Sequence, residues 1–196
     1  MDVTVVVATY GDPSWRQLAE TRAVPSVDVP VVQFHGDTLH EARNGGLTQV
    51  DTEWVCFLDA DDELEAGYFE AMAQGVADVR APMVRYGSDT NWGHPRVLNV
   101  WNHRHVCTAE CLSDGNWIVI GALVRTEMVR TVGGWRDFPW SEDWDLWLRC
   151  RAAGATFETC HGAVYRAHVR PDSRNRGASR ELALAAHVAI AEANGL

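Results

Sequence analysis

Nowhere in the 196 residues does an apolar run approach the roughly 20 positions needed to cross a bilayer, although 46% of the chain is hydrophobic. The opening Met1-Asp2-Val3-Thr4 also lacks the basic start of a secretory leader and passes straight into a β-branched run. These two absences set the expectation of a cytoplasmic protein with no membrane span. Basic charge is scarce too: 17 Lys and Arg against 27 Asp and Glu leave a formal net charge of −10. Such a surface argues against nonspecific binding to nucleic acid or anionic membranes, which needs a basic footprint. A negatively charged ligand is still admissible, because local geometry and a cation override the net sign. The five cysteines (Cys56, Cys107, Cys111, Cys150, Cys160) are odd in number and widely spread, so reduced thiols are expected. Repeats, low-complexity tracts and interdomain linkers are missing as well, and the length suits one compact domain.

What is present is an alternation of strand and helix signals. Apolar runs at Val3 to Thr9, Val29 to Phe34, Trp54 to Leu58 and Val79 to Arg85 read as strands. Between them, Ser14 to Ala23, Glu41 to Val50 and Glu65 to Gln74 read as helices, the first with Ser14 as its cap. The order predicts an α/β fold with a mostly parallel central sheet and helices on both faces. Ligands bind at the carboxyl ends of strands in such sheets. Tyr10 to Asp12, His35 to Asp37 and Asp59 to Asp62 all follow strand ends, so three polar turns should share one rim. Further on, Ser88 to Cys111 reads as loops and edge strands and Trp117 to Val124 as a strand. Helices are expected from Thr126 to Val132 and from Glu142 to Ala153, the latter capped by Ser141. Phe157 to Tyr165 should be the last strand and Ser179 to Asn194 a terminal helix.

Three segments carry chemistry. Asp59-Ala60-Asp61-Asp62-Glu63 crowds four carboxylates into one turn after a buried strand. That repulsion invites a hard divalent cation with oxygen ligands, which would also bridge a diphosphate. A solvated acidic turn capping the next helix would look the same. Trp140-Ser141-Glu142-Asp143-Trp144-Asp145 opens a helix with acids, where one carboxylate facing a cleft can serve as general base; plain capping charge is the alternative. Ala42-Arg43-Asn44-Gly45-Gly46 places glycines in a helix at roughly 1 kcal/mol each, which suggests close approach of a ligand or a strand. Arg43 is either a bidentate phosphate donor or a helix-surface arginine.

In this order and spacing the segments resemble the family 2 glycosyltransferases. Val5-Val6-Val7-Ala8-Thr9-Tyr10 looks like that family's first strand and nucleotide turn, and Ala42-Arg43-Asn44 with Gly46 is similar to its Ala-Arg-Asn-x-Gly signature. Phe57-Leu58-Asp59-Ala60-Asp61-Asp62 matches its Asp-x-Asp metal motif. Gly133-Gly134-Trp135 ahead of Glu142-Asp143-Trp144 looks like its Gly-Gly-Phe segment and Glu-Asp motif. The resemblance covers about residues 3 to 168 and implies a single GT-A domain. Residues 1–87 would form its nucleotide-sugar half, 88–168 its acceptor and catalytic half, and 169–196 a basic loop and helix.

The implied activity is metal-dependent, inverting transfer of a sugar from a nucleotide diphosphate to an unidentified acceptor. The cofactor would be Mn2+ or Mg2+, bound by Asp61 with Asp59, assisted by Asp62 and completed by His168. Thr9, Tyr10, Arg43 and Asp59 would line the donor site. Asp143 would be the base and Glu142 its orienting neighbour. Where the family usually has acidic residues after its second strand, this chain has Gln33-Phe34-His35-Gly36-Asp37, leaving Asp37 as a displaced base-recognition candidate. Competing readings are a catalytically silent nucleotide-sugar-binding module and a sugar-phosphate nucleotidyltransferase. Tyr10-Gly11-Asp12-Pro13 lacks the glycine-rich basic loop that the latter needs. A zinc-stapled interaction protein is a third, resting on His103, His105, Cys107 and Cys111. Trp92, Trp101, Trp117, Trp140 and Trp144 suit either sugar stacking or core packing. Arg170, Arg174 and Arg176, with Gly177 as hinge, suit either a lid over the diphosphate or a solvated linker.

Overall fold

The computed structural model describes residues 1–88, 91–97, 108–170 and 180–196. The predicted His103, His105 and Cys107 cluster and the basic loop beyond Arg170 lie outside the described residues, as does Trp101.

The chain builds a single mixed α/β domain around one sheet, of eight strands among the described residues. β1 (Val3–Tyr10) is flanked by β2 (Val31–Gly36) and β3 (Trp54–Asp59), both parallel to it. The register aligns Thr9 with His35 and Ala8 with Asp59, which brings the three polar turns to one edge. β7 (Leu123–Arg125) then pairs antiparallel with β3 and with β5 (Val79–Ser88). β5 in turn pairs parallel with β8 (Phe157–His168), and a bulge follows Pro82. β4 (Glu63–Leu64) closes one edge against β8, and β6 (Asn91–Trp92) pairs with β5. β1, β2, β3, β5 and β8 therefore run one way, as the alternating pattern predicts.

The core is made by those strands. Val5, Val6, Val7, Val55 and Cys56 are fully buried, so their β-branched and compact side chains stiffen the sheet and exclude water. α2 (Leu39–Leu47) packs on β1 and β2. Its glycines are explained by that approach: a Cβ on Gly46 would stand 2.4 Å from Val6 Cγ1, and one on Gly45 2.4 Å from the Phe34 ring. A strand, rather than a ligand, is what comes close. The helix opens with a capping box, in which Thr38 and Glu41 satisfy each other's backbone N–H groups.

Several expected elements are shorter or displaced. α1 (Ser14–Leu18) gives way to a π turn at Ala19–Ala23 and a 3-10 turn at Val24–Ser26. Ser14 is not its cap; the Asp12 carboxylate accepts from the Ser14 N–H instead. α3 (Tyr68–Met72) starts later than the acidic turn suggests, because Glu63 and Leu64 are drawn into the sheet by β8. Only Leu123–Arg125 of the expected strand from Trp117 forms, since the segment before it turns at Ile120 and Gly121. α4 (Thr126–Thr131), α5 (Glu142–Ala152) and α6 (Arg180–Ala193) agree with expectation.

Candidate active site

The ends of β1, β3 and β8 line a cleft of about 360 Å³, within the range of small-ligand pockets. Thr9 and Tyr10 line it from β1, Asp59 and Asp61 from the end of β3, and His168 from the end of β8. Thr9 is buried and its Oγ1 lies 2.9 Å from His35 Nδ1, so β2 contributes a histidine behind the β1 turn. Asp37 is exposed one turn further on and does not line the cleft, whereas Leu39 does.

The acidic turn divides into different jobs. Asp62 is buried; its carboxylate accepts from the Tyr165 hydroxyl at 2.7 Å and from the His168 N–H at 2.8 Å. It therefore ties the end of β3 to the end of β8. Burial, with Asp61 and Asp59 nearby, holds its carboxyl well above the usual range. Asp61 faces the cleft, and burial followed by the Asp59 charge raises its carboxyl too, against the pull of Arg170 and Arg22. The Asp59 side chain is 39% exposed. The turn thus presents hard oxygen donors carrying more negative charge than their surroundings neutralise, which fits a divalent cation.

His168 does not join Asp59 and Asp61 as a third ligand in this arrangement: its Nε2 lies 2.6 Å from Glu63 Oε2, and its ring meets the Trp92 edge. Among the described residues no group of three His, Cys, Asp or Glu side chains is arranged to hold a metal by itself. A cation here would rest on one or two carboxylates and complete its shell from substrate oxygens and water, a normal arrangement for Mg2+.

Arg43 takes a different place from the phosphate donor expected of it. It is 1% exposed and lies behind Asp59, away from the cleft lining. Nη2 donates to Asp59 Oδ1 at 2.9 Å and Nη1 to Glu142 Oε1 at 2.8 Å, while the guanidinium sits 4.4 Å over the Trp135 ring. The neighbouring Asn44 side chain clasps the backbone of Trp135, accepting from its N–H and donating to its carbonyl, both at 2.8 Å. Gly134, with φ of +70°, leaves room for that amide: a Cβ there would stand 2.4 Å from Asn44 Oδ1. Motifs read separately in the sequence are therefore one joint.

The joint sets the start of α5. Ser141 has φ of 56° and is the one non-glycine residue with positive φ among the described residues. It makes no side-chain cap, contrary to expectation; Asp143 Oδ1 accepts from the Trp144 N–H instead. A non-glycine left-handed residue costs of order 1–3 kcal/mol and marks a turn held by its surroundings.

Glu142 and Asp143, adjacent in sequence, differ sharply. Glu142 is 4% exposed and held by Arg43. Asp143 is half-buried and accepts from Asn116 Nδ2 at 2.9 Å. Burial, with the Glu142 charge added, pushes the Asp143 carboxyl up to about 7, against the opposing pulls of Arg43, Asn116 and the Trp144 N–H. The helix N-terminus does not keep it low, as its dipole suggests; desolvation wins.

The sequence profile described as "Glycosyltransferase like family 2" matches residues 1–183. The chain belongs to this family. Its fold agrees with solved structures at low identity. S. aureus TarS 1-349 in complex with UDP-GlcNAc superposes with a TM-score of 0.69 at 15% identity, covering 98% of this chain and 66% of that one. GalNAc-T7 with UDP, GalNAc and Mn2+ gives 0.61 at 12% identity, covering 98% and 48%. The family 2 chain thus spans less than two thirds of the length of these structures. No curated protein matches it.

Sequence reading does not single out Asn116 or Tyr86, and it takes His35 only as part of the turn after β2. Tyr86 lines the cleft, and burial raises its phenol, with Arg96 opposing and Asp62 and Asp143 adding. It therefore feels the charge of both the acidic turn and Asp143. Of the tryptophans, Trp117 and Trp144 are core, Trp140 is half-buried, and Trp92 is half-buried between His168 and Arg166. Trp15 borders the cleft under Arg170.

Proposed function

We propose that this family 2 domain is a metal-dependent, inverting glycosyltransferase that takes its sugar from a nucleotide diphosphate. The observation that carries the reading is an acidic cleft floor linked by Arg43 and Glu142 to the turn that bears Asp143, a separate carboxylate poised near neutrality. The TarS structure holds UDP-GlcNAc and that of GalNAc-T7 holds UDP, GalNAc and Mn2+, which supports a donor of this class.

The nucleotide would lie against Thr9 and Tyr10, with the His35–Thr9 pair forming the back of that pocket. Asp59 and Asp61 would hold Mn2+ or Mg2+, which supplies neutralisation of the diphosphate leaving group when bound. Asp143 takes the proton from an acceptor hydroxyl as that oxygen bonds to the anomeric carbon and the bond to the diphosphate oxygen breaks. A carboxyl that titrates near 7 is ionised often enough to accept the proton and basic enough to hold it. Attack from the face opposite the diphosphate inverts the anomeric configuration. Glu142, buried and engaged with Arg43, is not placed for that exchange.

A thermal-shift screen of nucleotide diphosphates with and without manganese tests the donor half, because binding stabilises by RT ln(1 + [L]/Kd). The reading predicts one base that stabilises strongly only with metal. Equal stabilisation in chelator and in manganese removes the metal, and a product that keeps the donor's anomeric configuration removes inversion.

A further inference from the structure

Arg43 joins two carboxylates that are far apart in sequence, one that lines the cleft and one buried behind it. One is Asp59 at the end of β3, the other Glu142 at the start of α5. The guanidinium is fixed in its plane by Trp135 on one face, and Asn44 fixes Trp135. Such a fork cannot be replaced by the point charge of lysine without losing an arm. Glu142, next to the proposed base and only 4% exposed, would lose an ion pair in a buried setting if this contact were broken, which is costly.

We propose that Arg43 and Glu142 are positioning residues for Asp143, the pair tethering the Glu142–Asp143 turn to the end of β3 and balancing charge beside the base. The proposal deepens the function proposed above and rests on Asp143 as the base. The groups facing Asp143 are Glu142 from its own turn, Arg43 from α2, the Asn116 amide from the segment before β7 and Tyr86 from β5. Tyr86 stays neutral across the working range, because its phenol is raised. Burial is the largest influence on where Asp143 titrates, and Glu142 and Arg43 are the two opposed charges that act on it next.

The test is a carbon-13 NMR titration of the Asp143 carboxyl in the unliganded protein, its resonance assigned by its loss in Asp143→Asn. Glu142→Gln keeps an acceptor for Arg43 and removes the charge, so the midpoint should fall by about one pH unit. Arg43→Met should raise it by a similar amount, and Arg43→Met with Glu142→Gln should return it towards wild type. If Arg43→Met does not fold, the Glu142→Gln result decides alone. A midpoint unchanged in Glu142→Gln, or shifted the same way in every variant, overturns the tether. The pH profile of UDP-GlcNAc hydrolysis, where measurable, should move with the NMR midpoints. Full turnover in Asp143→Asn alongside the expected NMR shifts would remove the base and leave the tether standing.

Discussion

Asp143→Asn should make the protein more stable while disabling it, and the gain should depend on pH in a way that identifies the group. The Asp143 carboxyl is pushed up to about 7 from a usual value near 4, so the folded state holds its proton more tightly than the unfolded chain does. With a raised carboxyl the sign is fixed: the native state is penalised as pH rises through that window, and the penalty is complete above the folded value. About three pH units at 1.36 kcal/mol each correspond to about 4 kcal/mol. Asparagine offsets only part of it, because its single oxygen can accept from only one of the two donors, Asn116 Nδ2 and the Trp144 N–H, that the Asp143 carboxylate satisfies, a mismatch worth about 1 kcal/mol. A net gain of about 2–3 kcal/mol at pH 8 should raise the melting temperature by about 5–10 °C in a chain of this size. Thermal unfolding of both proteins from pH 4 to pH 8 reads this directly. The gain should be largest at pH 8 and nearly gone at pH 4, where the folded carboxyl is protonated and the unfolded one is about half so. A gain that grows towards acid, or none at pH 8, would show that Asp143 is not a desolvated carboxyl. Transfer by the same variant should fall about 10²-fold or more, as expected on losing a general base.

Asp61→Ala should abolish the metal dependence of nucleotide diphosphate binding in calorimetry with little loss of stability, since it removes a carboxyl already strained by burial and by Asp59. Asp62→Ala should instead destabilise by about 1–3 kcal/mol in denaturant unfolding, because the Tyr165 hydroxyl and the His168 N–H lose their acceptor. Equal effects at the two positions would contradict the division of labour in the acidic turn. Gly134→Ala should cost about 1–3 kcal/mol from the backbone alone, with displacement of Asn44 added, and far-ultraviolet circular dichroism should show the fold retained.

The strands were legible because β1 and β3 are buried on both sides and read as unbroken apolar runs. The rim followed from where those runs stop, at Tyr10 and Asp59. The start of α2 was legible too, had Thr38 and Glu41 been read as a capping box. Other features rest on partners that no local pattern announces. Glu63 and Leu64 carry helix-like neighbours yet become a strand, because β8 supplies a ladder about a hundred residues later. Arg43 sits in a segment that reads as amphipathic surface, and its burial depends on Asp59 and Glu142 arriving from elsewhere. The left-handed Ser141 is the opposite case, a residue whose chemistry says helix cap but whose backbone is bent by the turn it serves. The family resemblance pointed to Asp143 over Glu142, and burial now gives a physical reason for separating them.

The joint among Arg43, Asn44, Gly134 and Trp135 has a consequence for anyone grafting this domain's parts into another scaffold. A segment ending at Asp59 and one beginning at Gly134 look like separable modules, since about seventy residues lie between them. They share one guanidinium and one clasped stretch of backbone at Trp135, so a chimera cut between them inherits half of a contact on each side. Swaps should therefore carry 43–44 and 134–135 from the same parent, whatever is chosen for the sequence between.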